Sequence, residues 1–233
     1  MEFRKFTENL ALGELKNTAV VDEQNLSLVK EHHRMMILQH LNTGLTNLYS
    51  KFILSEKQLL LRTQIPITHY YLRKEFARSN PAVVPYKYID DTGSGTYTED
   101  LIKVLFVYNE MGEELYLNDI EQVESIFTTQ FDCLQITGVH LGSIFSVTYQ
   151  ARHEVMTGID PCQEIKLPFF FEEAIQLFVA SKVLSHMNGP EQTAKGQEYL
   201  GLYNGICAEA EMRNMVQNSS TNTNTKLNKR GFV

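Results

Sequence analysis

Residues 169–214 read FFFEEAIQLFVASKVLSHMNGPEQTAKGQEYLGLYNGICAEAEMRN, and this stretch decides the fold. Two helical patterns flank a break at Asn188-Gly189-Pro190. Gly189 suits the left-handed position that ends one helix, and Pro190 suits the first turn of the next. The spacing therefore predicts a helical hairpin. In its second arm Tyr199, Leu202, Tyr203, Ile206, Cys207 and Ala210 recur at helical spacing and make one apolar stripe. The first arm is apolar nearly all round: Ile175, Leu177, Phe178, Val179, Ala180, Val183, Leu184 and Met187. A surface helix has one apolar face, so this one is expected to be covered on more than one side.

The second arm also carries Ala194, Gly201, Gly205 and Ala208 close to one line. An interior glycine costs a helix about 1 kcal/mol against alanine. Two readings follow: tight packing inside the hairpin, or a close approach by a neighbouring subunit. On the second reading Phe178, Lys182, Gly201, Gly205 and Ala208 form the subunit interface, which would also use the first arm's second apolar face.

Working back from the hairpin, Thr7 is expected to cap a helix reaching Lys16, with Phe6 and Leu10 as its contacts. A longer helix is expected from Ser27 to Tyr49, with Met35, Leu38, Leu41, Leu45 and Leu48 on one stripe. From Lys51 the period changes. Residues 52–54, 59–63 and 67–72 read as extended chain, interrupted by Pro66. Residues 79–100 hold Pro81, Pro85, Gly93 and Gly95 and read as a long loop. Leu101–Tyr108 is apolar on both faces, like a covered strand, and turns at Met111-Gly112 to pair with residues 114–117. Residues 133–137 make a short strand. In residues 143–153, Phe145, Val147, Tyr149 and Ala151 alternate with Ser146, Thr148, Gln150 and Arg152.

Helices, strands and helices in that order predict an α+β chain. The N- and C-terminal helices form a helical bundle layer with an inserted antiparallel β domain and an extended C-terminal tail. Residues 1–50 are the N-terminal helices, 51–168 the β domain, 169–217 the C-terminal hairpin and 218–233 the tail. The tail, NSSTNTNTKLNKRGFV, is too polar to fold alone.

With 233 residues and 43% hydrophobic content, the chain can build one sizeable core or a core with a second layer. A net charge of -7 argues against a phosphate-gripping domain. Cys133, Cys162 and Cys207 are too few and too scattered for a disulfide framework or a zinc site. MEFRKFTENL lacks the apolar core of a signal peptide, and no run approaches a membrane span, so synthesis in the cytoplasm is expected.

Asp91-Thr92-Gly93 matches the aspartic-protease tripeptide, which works only where two copies bring paired carboxylates together. A homodimer using Asp91 is the alternative enzymatic reading. Asp90 and a Gly/Ser/Thr loop flank the tripeptide where a hydrophobic strand is needed, which favours a solvated turn. Adjacent helix positions point His32 and His33 apart, so they cannot easily share an ion. His40, His69, His140, His153 and His186 are scattered. Gly93-Ser94-Gly95-Thr96 lacks the lysine of a phosphate loop. No catalytic residue, cofactor site or metal site is assigned, and the chain is not expected to be an enzyme.

Two stretches carry a family resemblance. LNTGLTNLYSKFILSEKQLLLRT, residues 41–63, resembles the helix-to-strand passage of tailed-bacteriophage head-to-tail adaptor proteins of the tail-tubular-protein-A-like type. Residues 172–214 resemble their C-terminal helical pair, with its EEA start, VASKV-like middle and AKGQEYL-like second helix. The resemblance implies a structural virion protein at the head-tail junction. It implies a homo-oligomeric, dodecameric ring beneath the portal protein and above a tail tube or nozzle protein. DNA would pass through its lumen without sequence-specific binding, and no membrane is involved. It also implies a tail that clips to the portal through Lys226, Leu227, Lys229, Arg230 and Phe232. An acidic channel wall would let DNA slide past.

Overall fold

The computed structural model describes residues 1–93, 95–136, 142–158, 160, 162–187 and 189–216. Among them the chain is mixed helix and sheet, with four α-helices and two antiparallel sheets. Two compact units divide it: Met1–Leu54 with the described residues from His153 onward, and Ser55–Arg152.

The first unit holds α1 (Phe3–Leu12), α2 (Glu31–Lys51), α3 (Glu172–Ser185) and α4 (Pro190–Met212). Nine residues of α3 are buried, from Ala174 to Leu184, and α1, α2 and α4 all pack against it. Both apolar faces of α3 are therefore covered by the chain's own helices, and no second subunit is needed to explain them. Gly44 brings α2 close: a Cβ there would lie 2.5 Å from Ile175 Cδ1 and 2.7 Å from Phe178 Cδ1. From the other side Tyr203 of α4 meets the Phe178 ring at 5.2 Å between centroids.

Several local expectations shift. Helix α1 starts before Thr7, whose hydroxyl donates back to the Arg4 carbonyl instead of capping. Phe6 and Leu10 are fully buried as expected. On α2 the buried stripe is Ile37, Leu38, Leu41, Gly44, Leu45, Leu48 and Tyr49, while Met35 is 70% exposed. Helix α3 ends at Ser185, and the amides of His186 and Met187 close its last turn on Val183 and Leu184. Gly189 is thus not a left-handed stop. It is the extended N-cap of α4, with Pro190 in the first turn.

The sequence reading carried the β domain to residue 168, but the described residues of 153–168 belong to the helical unit. Hydrogen bonds explain why. Asn42 of α2 brackets Met156, donating to its carbonyl and accepting from its amide, both at 2.9 Å. His153 meets Thr46 Oγ1 at 3.0 Å, and the Tyr49 hydroxyl donates to the Lys166 carbonyl at 2.5 Å. Glu2 and Glu164 form an antiparallel bridge, and the Ile165 amide donates to Met1.

The second unit holds β1 (Glu56–Arg62), β2 (His69–Tyr71), β3 (Ile89–Asp90), β4 (Leu101–Tyr108), β5 (Phe127–Gln130), β6 (Cys133–Gln135) and β7 (Ile144–Ala151). One sheet runs β3-β1-β7-β4 and the other β2-β6-β5. A single apolar cluster draws on both, including Leu61, Tyr70, Leu134, Phe145 and Val147. The alternation in β7 holds on its inner face, where Phe145, Val147, Tyr149 and Ala151 are buried. Its other face is not a plain solvent face, because Thr148 and Gln150 are buried too.

Residues 79–100 are not a free loop. They supply β3 and two buried tyrosines, Tyr88 and Tyr97. The Tyr88 hydroxyl donates to the Tyr71 carbonyl at 3.0 Å, and the Tyr97 hydroxyl to the Leu72 carbonyl at 2.8 Å. The turn after β4 matches expectation: Asn109 Oδ1 accepts from the amides of Met111 and Glu113, and Gly112 takes a φ of 79° that suits glycine. The return is short, with Glu114 bridging Tyr108 and the Leu115 amide donating to Val107.

Candidate functional site

The expected interface residues separate into two groups. Phe178 is 3% exposed, enclosed by Gly44 and Tyr203, and is core. Lys182 lies one turn on, with Nζ 5.4 Å from the Phe178 ring centroid. Gly201 and Gly205 are exposed, and among the described residues a Cβ at either would touch nothing within 4 Å.

The small residues of α4 therefore do not serve the hairpin. That close approach is made by Gly196, where a Cβ would lie 3.0 Å from the Ser181 carbonyl oxygen and 3.1 Å from Ser185 Oγ. Five residues of an α-helix turn through about 140° net of a full revolution. Gly196 consequently faces α3 while Gly201 faces away. Ala194, Gly201, Gly205 and Ala208 are all exposed, with Leu202 (50% exposed) and Met212 (84%) beside them. This outer face of α4 is a line of small side chains set among the exposed Gln197, Glu198 and Glu209, and among the described residues no helix of the chain fills it.

Asp91 sits in a closed arrangement. Its carboxylate accepts from the Ser79 and Tyr97 amides at 3.0 Å each, and also from the Ser79 hydroxyl. Burial pushes its pKa up, but the bonds from Ser79 and Tyr97 outweigh burial and hold it below the usual carboxylate value. The carboxylate is 4% exposed as a residue and is committed to tying residues 79 and 97 together.

Four of the histidines lie in pairs. Among the described residues no three His, Cys, Asp or Glu side chains are grouped to hold a metal ion. His32 and His33, expected to point apart, instead bring their rings to 4.0 Å between centroids, and His40 of α2 stacks on His186 at 5.2 Å. Among the described residues His40 Nε2 is buried without a hydrogen-bond partner. Burial, then His186 and Lys182, lower the His40 pKa from the ordinary value.

One feature escaped the sequence reading although the sequence carries its signal. Residues 104–151 contain seven acidic side chains and no lysine or arginine, which equals the chain's net charge of -7. Asp132 is neutralised by Arg73 at 2.8 Å, and Asp119 is buried. The remaining five, Glu110, Glu113, Glu114, Glu121 and Glu124, are exposed. Three of them rim a groove of about 380 Å³ whose floor is Leu115 and Phe145 and whose wall includes Met111. Glu110 accepts from the Ile144 amide at 2.8 Å and Glu113 from the Asn109 side chain at 2.8 Å, which fixes two sides of the rim.

The tail residues Lys226, Leu227, Lys229, Arg230 and Phe232 lie outside the described residues. Among the described residues no helix is long and apolar enough to cross a membrane. No protein-family model matches the chain, and no curated protein matches it.

Proposed function

We propose that this chain is a ring-forming structural connector of a tailed-phage virion, placed between the portal and the tail and extending the DNA channel. The observation that carries the reading is the outer face of α4. Gly201 and Gly205 each cost the helix about 1 kcal/mol against alanine, and among the described residues no packing contact gives a return for either. A neighbouring backbone seated on that face would supply the reason. Ala208, Leu202 and Met212 would add apolar area to the same contact.

In this reading the helices form the layer that closes the ring, through a heterologous contact repeated from copy to copy. The portal protein lies above, and a tail tube or nozzle protein lies below. DNA passes without sequence-specific binding, and the acidic stretch 104–151 suits a wall that repels phosphate. The resemblance of residues 41–63 and 172–214 to head-to-tail adaptors supplies the virion setting, the dodecameric ring and both neighbours.

The test is Gly205→Leu in the full-length chain. The new side chain projects from the outer face and would overpack a subunit contact by about 1–3 kcal/mol per site. A folded protein that no longer forms rings supports the reading. Normal rings from the variant place the contact elsewhere.

A further inference from the structure

We propose that the acidic, apolar-floored groove of the β unit is a docking site for the basic C-terminal segment, residues 226–233, of a second copy of this chain. The groove is built for a particular ligand chemistry. Leu115 is 8% exposed and Phe145 1%, so the floor is apolar and fixed by the core, while Met111 is 86% exposed at the wall. Glu110, Glu113 and Glu124 stand around it. A ligand must bring positive charge at the rim and at least one apolar side chain for the floor.

The C-terminal segment has that composition. KLNKRGFV, residues 226–233, contains Lys226, Lys229 and Arg230 with Leu227 and Phe232 between and beyond them. No acidic side chain follows Glu211. The groove volume of about 380 Å³ accommodates one such apolar side chain with adjoining backbone. Complementary charge of this kind sets partner choice and encounter rate more than depth of affinity.

The 17 residues after Val216 span up to about 55–60 Å when extended. A unit of roughly 100 residues is on the order of 35 Å across. The choice of a neighbouring copy over the chain's own groove rests on the ring reading proposed above. In a ring each copy presents one groove and one segment, so every contact is satisfied by the next copy, and weak single contacts add through multivalency. This gives the segment a different destination from the portal contact that the adaptor resemblance implies.

The experiment uses the full-length chain with Cys162→Ser, Met111→Cys and Leu227→Cys, oxidised mildly and run on a non-reducing gel. Cys133 and Cys207 are buried and stay in place. The expected result is a ladder of dimers and higher multimers. It should collapse with Glu110→Lys, Glu113→Lys and Glu124→Lys. It should return when those changes are combined with Lys226→Glu, Lys229→Glu and Arg230→Glu. A cross-link confined to single chains overturns the second copy as occupant. Cross-linking no greater than with Val83→Cys in place of Met111→Cys, at a side chain fully exposed in the same unit, overturns the groove itself. Electron microscopy of the same samples separates the two proposals. Rings without the cross-link overturn only this inference, and absence of both overturns the ring reading with it.

Discussion

Gly196 of α4 lies against the main chain of Ser181 on α3, where a Cβ would sit 3.0 Å from the Ser181 carbonyl oxygen. Gly205, on the same helix, has nothing among the described residues within 4 Å of the same position. One glycine is needed by the fold and the other is not.

Alanine at the two sites should therefore act in opposite directions. Gly205→Ala should stabilise the isolated chain by up to about 1 kcal/mol through helix propensity. Gly196→Ala receives the same propensity gain but presses on a main-chain atom that cannot rotate away, and should be neutral to destabilising by about 1–2 kcal/mol. Urea unfolding of both variants checks this. Equal stabilisation at both would mean that α3 and α4 are not in this contact.

Gly44→Val tests the other side of α3. The added methyl groups meet Ile175 and Phe178, of which the Phe178 ring is enclosed between α2 and Tyr203. Overpacking here should cost about 1–3 kcal/mol, read as a lower thermal midpoint. An unchanged midpoint would mean that α2 does not approach α3 through Gly44.

The helical arms and the long strands β4 and β7 were legible because their periodicity reports burial directly. The stripe of α2 apart from Met35, the Tyr203, Cys207 and Ala210 part of the α4 stripe, and the inner face of β7 follow from spacing, while Leu202 of the expected α4 stripe is 50% exposed. What was not legible depended on which surface meets which. The 3.6-residue period aligns Gly201, Gly205 and Ala208, but only the position of α3 decides that they face outward. Phe178 looked like an interface residue because the covering by Gly44 and Tyr203 comes from remote parts of the chain. Residues 79–100 read as a loop because Pro and Gly hide β3, and the anchoring bonds of Tyr88 and Tyr97 reach residues 71 and 72. The charge segregation in residues 104–151 was readable by counting, since it needs no structure.

Asp91 gives a pH and amide prediction. Its pKa is held below the ordinary value, so its contribution is present above an ordinary carboxylate pKa of about 3.9 and is lost as pH falls through the lower folded value. Asp91→Asn places a donor where Oδ2 or Oδ1 accepted one, and should cost about 1–3 kcal/mol at neutral pH. Thermal unfolding measures the loss, and a peptide-substrate assay of both proteins is expected to read no hydrolysis. Hydrolysis by the parent chain that vanishes in the variant would revive the aspartic-protease reading.

His40 predicts loss of stability on the acidic side of neutrality. Burial chiefly, then His186 and Lys182, lower its folded pKa. The unfolded chain takes up a proton near pH 6.5, where the folded chain does not. The contribution is therefore complete above about 6.5 and is lost as pH falls toward the folded value. His40→Gln should flatten the fall of the thermal midpoint between about pH 6.5 and 5. Some slope should remain, because burial and then His32 and Lys30 lower the pKa of His33 in the same direction. A slope unaltered by the substitution would assign the acid sensitivity to other groups.

The proposed role of the outer face of α4 is to close a ring between portal and tail. The most direct measurement is electron microscopy of the full-length chain mixed with heads bearing the portal protein of the same virus, beside the Gly205→Leu variant. The account predicts a closed ring of the parent chain seated under the portal, and no ring from a variant that remains folded in solution. Heads left bare by the parent chain, or decorated equally well by the variant, would contradict it.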